Sequence, residues 1–187
     1  MAARQDLTLP RRVTYEDYRH FPDDGKRYEI LDGEVFTNPS PAPRHQYTRK
    51  RLQRMLEDYF EGARGCLVFN APIDVILAPD DVVQPDLVVV PRGPQVSARG
   101  VEGAPLVLVE ILSPSRPEYD RTTKARRYAA RGVPHFWIVD PDARTLECYR
   151  LESGTYRLDA SGRDQETVRA PGFDGLNLTL SGCWLDG

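Results

Sequence analysis

The chain has 187 residues, 40% of them hydrophobic, and this predicts one domain spanning residues 1–187 with a core that needs no metal or disulfide for stability. The formal net charge of -3 excludes a general attraction to nucleic acid. Any contact with a phosphate backbone must therefore come from local basic clusters or from a bound cation.

Cysteine usage and the N-terminus bear on the compartment. Cys66, Cys148 and Cys183 are odd in number and widely scattered, which favours reduced thiols over a disulfide framework or a zinc site. The segment from Met1 to Arg12 carries charge and proline where a secretory signal has an apolar run. No stretch approaches the roughly 18 apolar residues of a membrane span. We therefore expect a soluble, cytoplasmic protein.

The first predicted elements are a hairpin and a helix. The segment Arg27 to Phe36 has apolar residues on both sides of Asp32-Gly33, which is a strong hairpin signal. Two proline-bearing segments, Asn38 to Pro43 and Pro91 to Pro105, are predicted loops. After the first loop, apolar residues recur at amphipathic spacing and predict a helix at about Arg44 to Glu61.

Strands are predicted in the middle of the chain. The segments Cys66 to Asn70 and Ile73 to Leu77 are expected to form a second strand pair around Pro72. The runs Leu87 to Val90 and Leu106 to Leu112 are almost continuously apolar, which is typical of strands covered on both faces. We expect these two strands in the middle of a sheet.

The C-terminal part is predicted to contain a helix and a meander. The segment Pro117 to Arg131 lacks internal proline and glycine and ends at Gly132, which indicates a helix with a glycine stop. The strands His135 to Val139, Leu146 to Leu151 and Thr155 to Leu158 follow. This order predicts an α/β protein of α+β type, with a mixed sheet flanked by helices, an N-terminal hairpin and a C-terminal meander.

Two acidic residues interrupt the apolar strands. Asp86 precedes the run Leu87 to Val90, and Glu110 lies inside the run Leu106 to Leu112. Burying an unpaired charge costs several kcal/mol, so each carboxylate needs a cation or strong hydrogen-bond donors. Carboxylates on neighbouring strands would repel each other, and a divalent metal held by carboxylates, a backbone carbonyl and water suits them. Magnesium or manganese is the natural candidate.

The second predicted helix carries Asp120, Lys124 and Tyr128 at intervals of four residues, so these side chains share one face. Lys124 is one of only three lysines among 25 basic residues. A lysine near a metal-bound water can orient that nucleophile or stabilise the negative charge that develops on a phosphate.

Several motifs, in this order along the chain, resemble one family. They are Tyr28 to Glu34, His45, Pro85-Asp86, Glu110 to Ser115, Asp120, Lys124, Tyr128 and His135 to Asp140. Together, from about Val13 to Leu151, they resemble the Uma-type family of putative restriction endonucleases, which is similar to the PD-(D/E)XK nuclease superfamily. The resemblance implies a core of helix, three strands, helix and strand.

The resemblance also implies a magnesium-dependent endonuclease acting on DNA. Asp86, Glu110 and the backbone of Ile111 would bind Mg²⁺ or Mn²⁺, with Glu110 opening the (D/E)XK motif. Leu112 stands where the superfamily has lysine, and Lys124 on the next helix is the implied substitute. Catalysis is thus assigned to Asp86, Glu110 and Lys124. Supporting roles are assigned to four further residues: Glu29, His45, Asp120 and Tyr128.

Each of these residues also has a structural interpretation. Asp86 could cap a turn, and Glu110 could pair with an arginine such as Arg121. Lys124 and Glu29 could be solvated surface residues, and His45 could be a hydrogen-bonded structural histidine. The basic runs on both predicted helices could contact phosphates, although helix surfaces are commonly charged.

Two other functions are compatible with the sequence. A nuclease-fold module that binds nucleic acid or protein without catalysis is suggested by Leu112 and the acidic net charge. Paired carboxylates could also serve as the acid and base of a glycosidase, which needs neither metal nor lysine. Nucleases that cut both strands often work as homodimers, so we also expect a homodimer. The apolar C-terminal residues, such as Leu176 and Trp184, could form a subunit interface or complete the sheet.

Overall fold

A computed structural model describes residues 11–38, 40–62, 64–113 and 119–185, without the side chains of residues 119 and 120. Its helices are α1 (Tyr15–Tyr18), α2 (Pro43–Phe60) and α3 (Ala125–Ala130), and a π-helical segment (Tyr119–Lys124) leads into α3. The strands are β1 (Arg27–Leu31), β2 (Glu34–Asn38), β3 (Cys66–Asn70), β4 (Val75–Ala78), β5 (Asp81–Val83), β6 (Leu87–Pro91), β7 (Val96–Ser97), β8 (Gly100–Glu102), β9 (Val107–Ile111), β10 (His135–Asp140), β11 (Thr145–Glu152), β12 (Thr155–Arg163), β13 (Thr167–Arg169) and β14 (Asn177–Thr179).

The strands form two six-stranded mixed sheets and a small two-stranded one. The central sheet has the order β12-β11-β10-β9-β6-β3, and its one parallel pair is β9 with β10. The second sheet has the order β2-β1-β5-β4-β8-β7, with β4 parallel to β8. The predicted mixed sheet with flanking helices is confirmed. The predicted hairpin is part of a larger second sheet, because β1 also pairs with β5.

Both faces of the central sheet are buried. On one face, Leu87 and Val109 pack in a core with α2, and on the other face Val88 and Leu108 pack in a core with Tyr128 of α3. Val83 of the second sheet belongs to the latter core, so the two sheets pack against each other there. Fully buried aliphatic side chains each contribute roughly 1.5–3 kcal/mol, which explains the almost continuous apolar sequence of β6 and β9.

Helix α2 confirms the predicted helix to within one residue at each end. Pro43 stands in its first turn, where its missing N–H costs no helical hydrogen bond. Leu52, Leu56 and Phe60 form its apolar stripe, and His45 extends this stripe toward the N-terminus. Among the described residues, no helix is long and apolar enough to cross a membrane.

The predicted hairpin is confirmed as β1 and β2. Asp32 and Gly33 form its turn with φ angles of 55° and 77°. Positive φ at both central residues is the geometry that Asp-Gly favours in a two-residue hairpin. A Cβ atom on Gly33 would lie 2.6 Å from the Cβ of Arg12, so close packing also requires glycine there.

The predicted pairing of the strands around Pro72 is wrong. β3 pairs with β6 in the central sheet, and the backbone N–H of Ala71 continues this ladder by donating to the carbonyl of Asp86. β4 pairs instead with β5 and β8 in the second sheet. The neighbours of β3 and β4 come from later in the chain, which local sequence patterns do not reveal.

The predicted loop from Pro91 to Pro105 was also wrong in part, since it contains β7 and β8. Gly100, with φ of 128°, stands where a Cβ atom would lie 2.2 Å from the carbonyl oxygen of Asp74. This close approach accompanies the parallel pairing of β8 with β4. Glycine and proline here mark tight turns within a sheet, and the sequence does not distinguish these turns from an open loop.

The second predicted helix is present from Tyr119 onward, and its first part has π rather than α geometry. Gly132, with φ of 77°, follows its end as predicted. The predicted start at Pro117 and the Pro114-Ser115 part of the family motif lie outside the described residues. The meander is confirmed by β10, β11 and β12. The C-terminal residues Leu176, Leu178, Leu180 and Trp184 are buried in the core on the α2 side of the central sheet.

Candidate active site

Asp86 and Glu110 face each other at one end of two paired strands. β6 and β9 are antiparallel with Leu87 opposite Val109, so the same register places Asp86 opposite Glu110. Side chains alternate along a strand, so Glu110 shares its face with Leu108 and Leu112, which pack in the core beside α3. The two acids that interrupt the apolar strands are therefore neighbours on the face that carries α3.

The carboxylate of Glu110 is bound by two side chains from the helical segment that follows. Its Oε1 atom accepts hydrogen bonds from Lys124 Nζ at 3.1 Å and from the Tyr128 hydroxyl at 2.6 Å. Lys124 ends the π-helical segment and Tyr128 lies one turn later in α3, so the predicted spacing of four residues brings both to one acceptor. The side chain of Asp120, the third member of that set, lies outside the described residues.

Lys124 connects Glu110 to the second sheet. Its Nζ atom lies 3.1 Å from Oε2 of Glu29 and 3.2 Å from Oε1 of the same residue. The exposed fractions are 3% for Lys124, 0% for Glu29 and 4% for Glu110. The alternative interpretation of Lys124 and Glu29 as solvated surface residues is therefore wrong. Glu29 also accepts a hydrogen bond from the backbone N–H of Gln84 at 2.7 Å.

Asp86 is held by the neighbouring strand and by α2. Its Oδ2 atom accepts a hydrogen bond from the backbone N–H of Ile111 at 2.8 Å and lies 3.1 Å from Nε2 of His45. Asp86 and His45 are both buried, at 5% and 6% exposure. The side chain of Asp86 thus connects two strands, so it does more than cap a turn. His45 Nδ1 is buried and has no hydrogen-bond partner in the described part of the chain.

An ion-pair cluster holds α3 against the second sheet. The fully buried Asp81 of β5 accepts hydrogen bonds from Arg127 at 2.7 and 3.0 Å and from Arg131 at 2.5 Å. Hydrogen bonding to Asp81 raises the pKa of the Arg127 guanidinium. The cluster lies one to two helical turns after Lys124. It therefore fixes the helix that delivers Lys124 and Tyr128 to Glu110.

A second group of polar side chains fixes Gln84, whose backbone binds Glu29. The side-chain amide of Gln84 donates to Asp74 at 2.9 Å and to the Tyr18 hydroxyl at 3.1 Å. Tyr18 also donates to Asp74 at 2.8 Å, and burial raises the pKa of its hydroxyl above the usual value. These contacts fix the position of Gln84 and therefore that of its backbone N–H, which donates to Glu29.

Several of the site residues line a cavity of about 50 Å³. Its walls include His45, Asp86, Glu110, Ile111 and Lys124, all of which the sequence identified, and also Arg27, Asn38 and Gln84, which it did not. The sequence did contain a signal for Arg27, because it stands two residues before Glu29 in a strand and so shares its face. Arg121 pairs with Glu147 at 2.5 Å rather than with Glu110.

The charges around the cavity fit a divalent cation. Asp86 and Glu110 line the cavity and Glu29 pairs with Lys124, so these three carboxylates outnumber the two positive side chains, Lys124 and Arg27. Oxygen ligands of this kind suit Mg²⁺ or Mn²⁺. Within the described residues, no three His, Cys, Asp or Glu side chains form a metal-binding group. A metal here would therefore be held by Asp86, Glu110, the Ile111 carbonyl and water, and Mg²⁺ commonly retains several waters.

The order α2, β3, β6, β9, α3 and β10 is the core of helix, three strands, helix and strand that the family resemblance implies. An acid precedes β6 and a second acid lies on β9, as in the restriction-endonuclease-like fold. The fold and the position of these acids thus define the class of protein as restriction-endonuclease-like.

Comparison with known proteins identifies the family. Residues 15–181 match the model of the Uma2 family, described as "Putative restriction endonuclease", and the chain belongs to this family. The structure is similar to a crystal structure described as a "putative nuclease belonging to DUF820" from Anabaena variabilis, with a TM-score of 0.75. The two sequences are 20% identical, and the match covers 92% of this chain and 97% of the other. No curated protein matches the sequence significantly.

Proposed function

We propose that the protein is a metal-dependent endonuclease that hydrolyses phosphodiester bonds in DNA, with Asp86, Glu110 and Lys124 as its catalytic residues. The observation that carries this proposal is the meeting of two opposed strand carboxylates with one buried lysine, whose Nζ lies 3.1 Å from Glu110. Membership of a restriction-endonuclease family supports a nuclease in general. The metal, the DNA substrate and the residue roles are the proposed part.

The proposed roles follow from the contacts of each side chain. Asp86 and Glu110 would hold Mg²⁺ or Mn²⁺ together with the carbonyl of Ile111, and this metal would polarise a phosphoryl oxygen and activate a water molecule. Lys124 would stabilise the negative charge that develops on the phosphate. Tyr128 positions the carboxylate of Glu110, and His45 positions that of Asp86, since each contacts one of these acids directly.

Leu112 is compatible with this proposal. It lies where the superfamily has its lysine, but it is 5% exposed and packs in the core beside α3. Lys124 approaches Glu110 from the helical side, so a positive charge is present beside the acid although strand β9 carries none. We propose that the lysine has been displaced from the strand to the helix without losing its position near the metal.

The test is cleavage of plasmid and single-stranded DNA with Mg²⁺ or Mn²⁺. Wild type should cut, Glu110→Gln and Lys124→Ala should lose at least about a hundredfold in rate, and chelation should abolish the activity. Exposed residues give matched controls: Glu34→Gln removes a carboxylate and Lys50→Ala removes a lysine, and both should cut normally. An unchanged rate in Glu110→Gln would refute the assignment, and chelator-sensitive cutting would exclude a glycosidase.

The same assay addresses assembly. Cutting both strands in one encounter needs two sites, so direct conversion of supercoiled plasmid to linear form is expected from the homodimer that we propose. Accumulation of nicked plasmid before linear product would instead indicate one site acting alone. Sedimentation of the free protein and of its DNA complex measures the subunit number directly.

A binding module without catalysis is the second candidate. It is favoured by the double ion pair of Lys124, since an amino group held by Glu29 and Glu110 is less available to a phosphate. This alternative predicts weak or absent metal binding. Calorimetry with Mn²⁺ separates the two proposals: tight binding that disappears in Asp86→Asn contradicts the module, and its absence in wild type contradicts the nuclease.

A further inference from the structure

Arg27 is a positive side chain in the wall of the candidate active site that neither the sequence motifs nor the roles above account for. It begins β1, two residues before Glu29, so both side chains project from the same face of the strand. Leu31, two residues further, packs in the core between the two sheets, which identifies this face as the one turned toward the central sheet. Arg27 accordingly lines the same cavity as Asp86, Glu110 and Lys124.

In the described part of the chain, the guanidinium of Arg27 is not paired with another side chain. The other positive group of the cavity, Lys124, has two ion pairs with carboxylates. Among the residues that the structure describes, Arg27 has no ion pair and no side-chain hydrogen bond, although Asp86 and Glu110 line the same cavity. Its side chain is half-buried, so its position is restricted while part of it stays accessible to solvent. A half-buried guanidinium whose charge is not paired within the described residues is suited to binding an anionic ligand.

Asn38 adds a neutral donor beside Arg27. It stands directly opposite Arg27 in the ladder between β1 and β2, so the two side chains lie next to each other on one face. Asn38 also lines the cavity, and its amide makes no hydrogen bond within the described residues. A planar guanidinium that binds two oxygens together with a neighbouring amide donor is a common means of holding a phosphate group.

We infer that Arg27, assisted by Asn38, binds a backbone phosphate of the nucleic-acid substrate beside the two carboxylates. The inference rests on the proposed nuclease function and adds the substrate contact that this function lacks. Lys124, neutralised by its two acids, does not supply this contact before a metal is bound. Arg27 is thus the group that attracts phosphate to a cavity whose charge is otherwise negative, and the second sheet contributes to substrate binding.

The test measures DNA binding without cleavage. Binding of short fluorescent duplex and single-stranded DNA is followed by anisotropy with Ca²⁺ replacing Mg²⁺, for wild type, Arg27→Ala and Asn38→Ala. Arg169→Ala is the control, because Arg169 is also a strand arginine without an ion pair among the described residues, but it is exposed and lies on the separate two-stranded sheet. Arg27→Gln, which keeps the stem and a polar end, serves if Arg27→Ala does not fold, as judged by thermal melting.

Loss of Arg27 should raise the dissociation constant by about tenfold or more and reduce the slope of log affinity against log salt by about one. Asn38→Ala should raise the constant by less than Arg27→Ala does, and Arg169→Ala should change it by less than about twofold. The affinity for Mn²⁺ should be unaffected by Arg27→Ala. A purely charge-balancing arginine would behave differently, since its removal would strengthen Mn²⁺ binding and leave DNA binding unchanged.

The outcomes separate this inference from the proposed function. DNA binding that depends on Arg27, in a protein that never cuts, supports the inference and refutes the nuclease. Cleavage that depends on Glu110, together with equal DNA binding by Arg27→Ala and Arg169→Ala, refutes the inference and supports the nuclease. Failure of wild type to bind either form of DNA overturns the inference.

Discussion

Lys124 and Glu29 form an ion pair between two segments that are 95 positions apart in sequence, with 3.1 Å between Nζ and Oε2. The pair joins the helical segment on the central sheet to the first strand of the second sheet. Because both side chains are almost completely buried, water cannot replace either partner when the other is removed. The pair therefore couples the stability of the protein to the geometry of the candidate site.

Replacing Lys124 by methionine should lower the free energy of unfolding by about 3 kcal/mol, because it leaves two buried carboxylates without their cation. Adding Glu29→Gln to Lys124→Met should recover part of this loss by removing one of those charges. Urea denaturation of wild type, both single variants and the double variant measures the coupling. Strictly additive effects would show that the two residues do not interact in solution.

Tyr128→Phe should slow cleavage and weaken Mn²⁺ binding, because it removes a hydrogen bond that orients a proposed metal-binding carboxylate. The variant removes the 2.6 Å hydrogen bond to Glu110 without leaving a cavity, so it should cost about 1 kcal/mol of stability. Steady-state kinetics should locate the effect in kcat rather than KM. Tyr149→Phe is the control, since it removes a hydroxyl that donates to Glu147 outside the site. If both variants cut like wild type, Tyr128 does not position Glu110 for the reaction.

Asp81→Asn should reduce both stability and activity, although Asp81 does not line the cavity. The variant removes the negative charge to which Arg127 of α3 and Arg131 at the end of α3 are bound. The expected loss in the free energy of unfolding is about 2–3 kcal/mol. The helix would then hold Lys124 and Tyr128 less rigidly. Asp142→Asn, at a half-exposed ion pair with Arg44, should change stability by less than about 1 kcal/mol. Normal kcat in a destabilised Asp81→Asn would confine the cluster to a structural role.

His45→Ala should weaken Mn²⁺ binding by about tenfold, because residues that orient a metal-binding carboxylate typically change affinity by this amount or more. The Nε2 atom of His45 lies 3.1 Å from Oδ2 of Asp86. His20→Ala, at an exposed histidine, should leave Mn²⁺ affinity unchanged. Isothermal titration calorimetry compares the two variants. Equal affinities would mean that Asp86 is adequately oriented by Ile111 alone.

The three cysteines should resist alkylation in the folded protein. Burial raises the pKa of Cys148 to about 12 and that of Cys183 to about 11, and it also raises the pKa of Cys66. The reactive thiolate is therefore scarce in the native state even at pH 9, where an unfolded cysteine is half ionised. Because folding raises the pKa of these thiols, they ionise in the unfolded state first as the pH rises. The free energy of unfolding should therefore fall only above about pH 9. Mass spectrometry after iodoacetamide treatment, with and without urea, tests the first point.

Much of the site could be predicted from sequence, because its chemistry depends on residues that contradict their surroundings. Asp86 and Glu110 interrupt apolar strands, and Lys124 and Tyr128 have the spacing of one helical face, so local patterns made them candidates, and the family resemblance then assigned their roles. The structure places Asp86, Glu110 and Lys124 around one cavity, and Tyr128 donates a hydrogen bond to Glu110. Their roles in metal binding and catalysis stay predictions.

The residues that were missed depend on contacts between distant segments. Arg27 gains its position from the packing of the second sheet on the central one, and the β3 and β4 pairing was wrong because their partners occur later in the chain. Gln84 contributes chiefly through its backbone N–H, which has no sequence signature. Alternation and helical periodicity show on which face of a strand or helix a residue lies. They do not show which other element packs against that face.

The assembly of the candidate site from both sheets has a consequence for the life of the protein in the cell. Glu29 belongs to the second sheet, Glu110 to the central one, and Lys124 to the helical segment that follows Glu110, so neither sheet alone holds the complete set in place. A chain still emerging from the ribosome, or one that has lost either sheet to partial unfolding, would lack the proposed cutting centre. Under the proposed function, a partly folded chain would therefore be unable to cut DNA.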